Sequence, residues 1–265
     1  MPHVLRDGCR LSYSVDGNPD APVLLLSNSL GTTRALWAPQ ADALASRFRL
    51  IRYDTRGHGA SDAPRGPYTL DMLGFDALAI LDAAAAPRAH VCGLSLGGLT
   101  AMWLGVHAAG RVASLVLAST AARIGQTMLW QERIEQVKSS GMAPLAEAAM
   151  DRWFTGAFRA AHPDIVARYR TMLASSPVDG YAACCAVLRD ADLRTAIGQI
   201  AVPTLVLAGT HDPVTPPSDA EAIRTKIRGA RVAFLDAAHL ANVEQPDAFT
   251  EHVATFINEQ GTLDG

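Results

Sequence analysis

Short runs of apolar residues, each closed by turn-forming residues, alternate along this chain with longer segments of helical periodicity. Strands joined by helical crossovers build a largely parallel sheet, and continuous apolar strands are buried on both faces. The predicted strands are residues 23–27, 50–53, 90–93, 114–118, 204–208 and 232–235. Residues 69–86 predict a crossover helix with Thr69 at its N-cap, and residues 10–15 alternate as an antiparallel edge strand does. The fold class is therefore α/β, a mostly parallel twisted sheet with helices on both faces.

A serine lies in a Gly-rich turn between a predicted strand and a predicted helix, in Gly93-Leu94-Ser95-Leu96-Gly97. A turn this tight requires positions without side chains, and it projects the serine hydroxyl above the sheet. The following helix begins at the turn, so the Leu96 N–H can donate to a developing oxyanion. Ser95 is therefore the candidate nucleophile.

A serine hydroxyl needs a base that is itself oriented by a carboxylate. Asp212 follows the strand at 204–208 and His239 follows the strand at 232–235, which gives the chain order Ser, Asp, His. Asp212 could instead cap the helix that begins near Ser218, and His239 could be an ordinary loop residue. His58 competes for the role of base, but the chain order favours His239.

Two further groups are assigned by position in the chain. Arg56 and His58 belong to a Gly-rich turn after the strand at 50–53, and we interpret both as residues that brace this loop. The second oxyanion donor should come from the loop after the strand at 23–27, where the backbone N–H of Leu30 would face that of Leu96.

The alternation of strands and helices stops after Thr120 for about seventy residues, and the intervening segment has helical patterns. An insertion of that size is too long for a simple crossover, so it predicts a helical cap over the sheet. We expect a core of residues 1–121 and 195–265 and a cap of residues 122–194.

Charge and cysteine usage exclude several classes of function. The 23 Lys and Arg against 26 Asp and Glu give a net charge of −3 without a basic cluster, which argues against nucleic acid as a partner. The four cysteines form no metal-binding spacing, and no phosphate-binding glycine motif occurs, so no metal or cofactor is expected. No targeting segment or membrane span is recognisable, and we expect a cytoplasmic protein. The sequence leaves the oligomeric state open.

These residues resemble the α/β-hydrolase fold superfamily across essentially the whole chain. The run Ser27-Asn28-Ser29-Leu30-Gly31 is similar to that of 3-oxoadipate enol-lactonases. The segments at 53–61, 93–98 and 236–244 are similar to the same family but are shared with neighbouring esterases and haloperoxidase-like hydrolases.

The resemblance implies an α/β-hydrolase fold and hydrolysis of the lactone ring of 3-oxoadipate enol-lactone through an acyl-enzyme. The reaction belongs to the β-ketoadipate pathway of aromatic catabolism. Its small substrate is an anion, and Arg133 is the first candidate to meet the carboxylate because Trp130 lies on the same helical face. Arg152 and Arg189 are alternatives, and we expect Trp130, Trp153 and Ser29 to contact the substrate.

Rival functions remain open at this point, because fold does not determine chemistry. The same residues would serve a general carboxylesterase, a lactonase for neutral substrates or a C–C bond hydrolase. A ligand-binding module with slow turnover is an alternative from a different class.

Overall fold

The computed structural model describes residues 2–261. The strands are β1 His3–Arg6, β2 Cys9–Asp16, β3 Val23–Ser27, β4 Arg49–Tyr53, β5 Ala89–Leu94, β6 Val112–Ala118, β7 Thr204–Gly209 and β8 Arg231–Leu235. The α-helices are α1 Ala41–Ala45, α2 Leu70–Ala83, α3 Leu96–His107, α4 Thr127–Ser140, α5 Ala143–Trp153, α6 Gly156–Ala161, α7 Pro163–Ala174, α8 Val178–Asp190, α9 Pro217–Lys226, α10 Ala241–Glu244 and α11 Pro246–Gly261. Short 3-10 helices lie at Arg34–Gln40, Ala109–Arg111 and Ile197–Gln199.

The strands form one eight-stranded sheet in the order β1-β2-β4-β3-β5-β6-β7-β8. The pairs β1–β2 and β2–β4 are antiparallel, and all the others are parallel. Strands β3 and β5 are central and apolar, and they are buried along nearly their whole length. The predicted α/β class and the six predicted parallel strands are confirmed. At the start of α2, the Thr69 hydroxyl accepts a hydrogen bond from the Met72 N–H, as expected of an N-cap.

The prediction for the N-terminal edge of the sheet is wrong in one respect. Residues 10–15 lie in an antiparallel strand, but β2 is paired on both sides and β1 is the edge strand. The two strands form a hairpin around Asp7 and Gly8, which have φ angles of 48° and 74°. An Asp-Gly pair is the usual sequence signal for such a turn, so the hairpin of β1 and β2 could have been predicted from the sequence.

The segment predicted as a cap contains helices α4 to α8. It leaves the sheet after β6 and returns before β7, and the Leu193 N–H donates to the Ala122 carbonyl at 2.8 Å where its two ends meet. Helix α8 is buried from Gly180 to Leu188, and Gly180 lies against the backbone of Gly57 in the loop after β4. The cap is therefore packed directly on the loops at the carboxyl ends of the strands.

In the part of the chain that the structure covers, no helix combines the length and the apolar character needed to cross a lipid bilayer.

Candidate active site

Ser95 lies at a sharp turn between β5 and α3, with φ 58° and ψ −113°. A non-glycine residue holds such a backbone conformation only when its surroundings fix it. Here the Ser95 N–H donates to Ala118 at 2.9 Å, and the Thr120 hydroxyl donates to the Ser95 carbonyl at 2.8 Å. A side chain at Gly93 would overlap the backbone of Gly97, so the turn requires glycine at this position. Ser95 therefore lies between the end of β5 and the start of α3, in neither regular element.

Asp212 follows β7, and its buried carboxylate accepts four hydrogen bonds. Oδ1 accepts the backbone N–H groups of Val214 at 2.8 Å and Thr215 at 3.1 Å. Oδ2 accepts the Thr215 hydroxyl at 2.7 Å and lies 2.8 Å from Nδ1 of His239. Burial alone would raise the pKa of Asp212, but the His239 charge and the hydrogen bonds from His239 and Thr215 hold it below its ordinary value. The carboxylate therefore stays ionised and fixes the proton of His239 on Nδ1.

His239 is 2% exposed and lines the same cavity as Ser95. Within residues 2–261 the Ser95 hydroxyl forms no hydrogen bond with the imidazole; such bonds commonly tighten only in the substrate complex. The loop that carries His239 is tied to the cap, because the Leu240 N–H donates to the Trp153 carbonyl at 3.0 Å. Asp212, His239 and Ser95 are thus brought together from the ends of three strands.

The loop that carries Leu30 lies beside the start of α3, where Leu96 is the first residue. Gly97 lies so close to the end of β3 that a side chain there would overlap the Ser27 carbonyl, which places the loop after β3 beside the Ser95 turn. Neither Leu30 nor Leu96 donates its N–H to an acceptor among the described residues, whereas Gly31 and Gly98 both do. Two backbone N–H groups without an acceptor are what the predicted oxyanion site needs, and the assignment of Leu30 and Leu96 stays a prediction.

A cavity of about 270 Å³ lies between the cap and the strand ends. Its walls include the predicted residues Ser29, Leu30, Ser95, Trp130, Arg133, Trp153 and His239. Asp212 and Leu96 lie behind this surface. The sequence analysis did not assign the remaining wall residues Ile124, Gly125, Leu129, Ala149, Leu173, Tyr181, Leu188, Pro213 and Val214. Arg152, named only as an alternative, also lines the cavity.

Two cap arginines face this cavity without a carboxylate partner. Five other cap arginines, Arg123, Arg159, Arg170, Arg189 and Arg194, form ion pairs with carboxylates. Among the described residues no ion pair involves Arg133 or Arg152. The Arg133 guanidinium carbon lies 6.0 Å from the centre of the Trp130 ring, and Arg133 also interacts with the buried Tyr181. Burial and the nearby charge of Arg133 lower the pKa of Arg152.

Arg189 lies elsewhere. Its guanidinium pairs with Asp190 at 2.8 Å and donates to Gln131 at 2.8 Å, and it lines a separate surface groove. The structure therefore separates the three arginine candidates, with Arg133 and Arg152 in the cavity and Arg189 outside it.

Arg56 and His58 both brace loops, as interpreted from the sequence. Arg56 makes a bidentate ion pair with the buried Asp76, at 2.5 and 2.6 Å. The Nε2 atom of His58 accepts the Gly31 N–H at 2.9 Å, so His58 does not reach Ser95 as a base.

Comparison with known proteins gives a consistent result. Residues 22–246 match the model of a family described as the alpha/beta hydrolase fold. The chain is 43% identical to 3-oxoadipate enol-lactonase 2 of Acinetobacter baylyi, over 92% of this chain and 91% of the relative. The crystal structure of the enol-lactonase from Burkholderia xenovorans LB400 matches with a TM-score of 0.95 and 42% identity, covering 97% of this chain and all of that one.

A more distant solved structure has the same fold. A thermophilic esterase from Thermogutta terrifontis, solved with malate bound, matches with a TM-score of 0.90 and 27% identity, covering 98% of this chain and 99% of that one. Taken together, the eight-stranded sheet, the serine turn and these matches show that this chain belongs to the α/β-hydrolase family and, within it, to the family of the 3-oxoadipate enol-lactonases.

Proposed function

We propose that this protein is a carboxylic ester hydrolase that opens the lactone ring of 3-oxoadipate enol-lactone to 3-oxoadipate, in the β-ketoadipate pathway. One observation carries the choice of substrate: Arg133 and Arg152 line the same cavity as Ser95 and His239 and have no carboxylate partner among the described residues. An anionic substrate supplies the missing partner. The names of the relatives from Acinetobacter and Burkholderia support the lactone as that substrate.

In the proposed mechanism the Ser95 hydroxyl attacks the lactone carbonyl. His239 accepts the serine proton on Nε2, because Asp212 holds the other imidazole proton on Nδ1. The N–H groups of Leu30 and Leu96 bind the oxyanion, and each is worth about 3 kcal/mol in the transition state. The carbonyl–oxygen bond of the ring then breaks, His239 gives its proton to the leaving oxygen, and the resulting enol, still part of the acyl group on Ser95, relaxes to the ketone. Water, activated by His239, hydrolyses the acyl-enzyme.

The cavity walls offer this substrate two cationic side chains and a largely apolar surface. Arg133 and Arg152 would bind the carboxymethyl group, Trp130 and Trp153 would cover the ring, and Ser29, which directly precedes Leu30, would contact the substrate. Water is displaced from such an apolar space, so the charge-assisted hydrogen bonds of the arginines gain strength. The unpaired thiols of the four buried cysteines support a reducing compartment, the cytoplasm, as the site of the reaction.

The first test follows the loss of ultraviolet absorbance of the enol-lactone, generated in situ from its muconolactone precursor. Wild-type protein should act with a kcat/KM of about 10⁵ M⁻¹s⁻¹ or more, and Ser95→Ala should abolish the activity. Turnover of a simple aryl ester without turnover of the lactone would refute the lactone as the substrate and would favour a general carboxylesterase. Saturable binding of the lactone without turnover would indicate a binding module instead.

The second test separates the arginines. Arg133→Met and Arg152→Met should each raise KM about 10-fold to 100-fold, the value of a charge-assisted hydrogen bond to a buried carboxylate. Arg189→Met is the matched control, because it removes the same charge from the same cap outside the cavity. A wild-type KM in both cavity variants would contradict carboxylate recognition by these residues.

A further inference from the structure

His58 is almost fully buried in the loop after β4, and both nitrogens of its ring are engaged. Nε2 accepts the Gly31 N–H at 2.9 Å, so the ring proton resides on Nδ1, which lies 3.3 Å from the Arg56 carbonyl. The imidazole is therefore neutral and joins two segments of the chain that lie 27 positions apart. One of those segments is the loop that carries the proposed oxyanion donor Leu30.

The loop after β3 turns at Leu30 and Gly31, where the Thr32 N–H and hydroxyl both donate to the Ser29 carbonyl, at 3.2 and 2.7 Å. Upstream, the Asn28 amide nitrogen donates to the Tyr53 carbonyl at 2.6 Å, and the Asn28 amide oxygen accepts the Trp37 Nε1–H at 2.9 Å. Downstream, the Arg34 N–H donates to Asp54 at 2.7 Å. Between these anchors Gly31 has a left-handed backbone with φ 75°, and its N–H bonds only to His58 among the described residues. The turn bonds set the local shape, and the bond to His58 holds the central peptide of the turn, which directly follows Leu30, against the loop after β4.

We infer that His58 is a positioning residue for the proposed oxyanion site, because its hydrogen bond to Gly31 sets the direction of the unpaired Leu30 N–H. This inference rests on the proposed chemistry at Ser95. An oxyanion donor works only when it is aimed in advance at the position of the developing charge, and a shift of about 1 Å is enough to cost two orders of magnitude.

Burial, rather than the neighbouring groups, keeps the His58 ring neutral. The nearby charges are engaged elsewhere: Asp54 accepts backbone N–H groups, and Arg56 is paired with Asp76. From the cap, the Tyr181 ring lies 6.4 Å away between centres, and the Cys184 sulfur lies 4.0 Å from Nδ1. Burial lowers the pKa of His58 to about 4, against the opposing effects of the bond to Arg56 and the Asp54 charge. A second ring proton would face the Gly31 N–H with another donor and break the bond.

Two substitutions of nearly equal length test the inference. His58→Gln keeps an oxygen that can accept the Gly31 N–H, whereas His58→Met fills the space and accepts nothing comparable. We expect His58→Met to lower kcat for the lactone about 10-fold to 100-fold with little change in KM, and His58→Gln to recover most of that loss. Thermal unfolding of each variant confirms that it is folded under the assay conditions.

A second readout does not depend on the lactone. The rate at which a fluorophosphonate phosphonylates Ser95 also requires the oxyanion donors, so it should fall in His58→Met and recover in His58→Gln. If the wild type fails on the lactone while this pattern holds, the proposed substrate is wrong and the role of His58 stands.

Ser61→Ala is the control for loop damage in general. The Ser61 hydroxyl donates to the Asp54 carbonyl at 2.6 Å and accepts the Ser12 N–H at 2.9 Å. It therefore stabilises the loop after β4 without a hydrogen bond to Gly31. Ser61→Ala should lower stability and leave both rates near wild type. Wild-type rates in folded His58→Met, or equal losses in the Met, Gln and Ser61→Ala variants, would overturn the inference.

Discussion

Replacing Asp212 by Asn tests the proposed arrangement most directly, because the structure predicts which way the amide must point. Oδ1 of Asp212 accepts two backbone N–H groups, from Val214 and Thr215. The amide oxygen has to take that place, since an NH₂ group there would face two donors. The amide nitrogen then replaces Oδ2 and points at Nδ1 of His239.

The consequence for His239 is a change of tautomer. Nδ1 must become an acceptor for the Asn NH₂ group, so the ring proton moves to Nε2, the atom that should receive the serine proton. The wrong tautomer lowers kcat by about 10³-fold to 10⁴-fold, equal to about 4 to 5.5 kcal/mol of transition-state stabilisation. The fold should lose far less, about 1 to 2 kcal/mol, because the hydrogen bonds to Oδ1 remain.

The assay compares kcat for lactone opening and the free energy of unfolding in urea for wild type, Asp212→Asn and Thr215→Val. The Thr215 variant removes the hydroxyl that donates to Oδ2 of Asp212, the oxygen that also binds His239, but it leaves the bond to His239 in place. Its kcat should therefore fall less than about 10-fold. A folded Asp212→Asn protein that keeps more than a tenth of the wild-type kcat would refute the reasoning.

Three further predictions concern stability. First, the pKa of His58 is lowered from 6.5 to about 4, so the unfolded chain binds this proton at a higher pH than the folded protein does. The free energy of unfolding should therefore fall by about 3 kcal/mol as the pH drops from 6.5 to 4. Urea titrations at both pH values should show a smaller difference for His58→Gln than for wild type. Second, Gly180→Ala places a methyl group 2.6 Å from the Gly57 Cα and should lower the melting temperature by several degrees. Gly110→Ala is the control, because a methyl group there has nothing within 4 Å, and it should not lower the melting temperature. Equal melting temperatures for the two variants would contradict the close packing of α8. Third, Asp76→Asn leaves the buried Arg56 without its counter-charge and should cost about 3 to 5 kcal/mol, measured by urea unfolding; a cost below 1 kcal/mol would argue against a buried ion pair.

The strands and the proposed reacting residues could be predicted from sequence because their signals are local. An apolar run bounded by turn residues gives a buried strand, and a serine between glycines after such a strand has few other conformations available. The hairpin at Asp7 and Gly8 was equally local. Its first strand, β1, was missed because the alternating pattern of residues 10–15 was interpreted as an edge strand by itself.

The wall of the cavity could not be predicted in the same way. Leu173 and Leu188 look the same in sequence whether they face the sheet or the cavity, because both environments are apolar. Similarly, Arg152 and Arg189 are both cap arginines, and only the rotation of α5 and α8 about their axes decides which one faces the cavity. The contact between His58 and Gly31 depends on two loops that become neighbours only because β3 and β4 are paired.

The meeting of Ala122 and Leu193 at the base of the cap has a consequence for how such a protein can diversify. Because the inserted segment leaves and re-enters the chain at one point, between two strands that already pair with each other, its length and sequence can change without altering the register of the sheet. The segment is a cassette: an exchange of residues 122–193 with a related protein should transplant substrate preference onto an unchanged hydrolytic centre. The donor must supply a residue as small as Gly180 where α8 rests on Gly57, because a side chain at that position would overlap the Gly57 backbone.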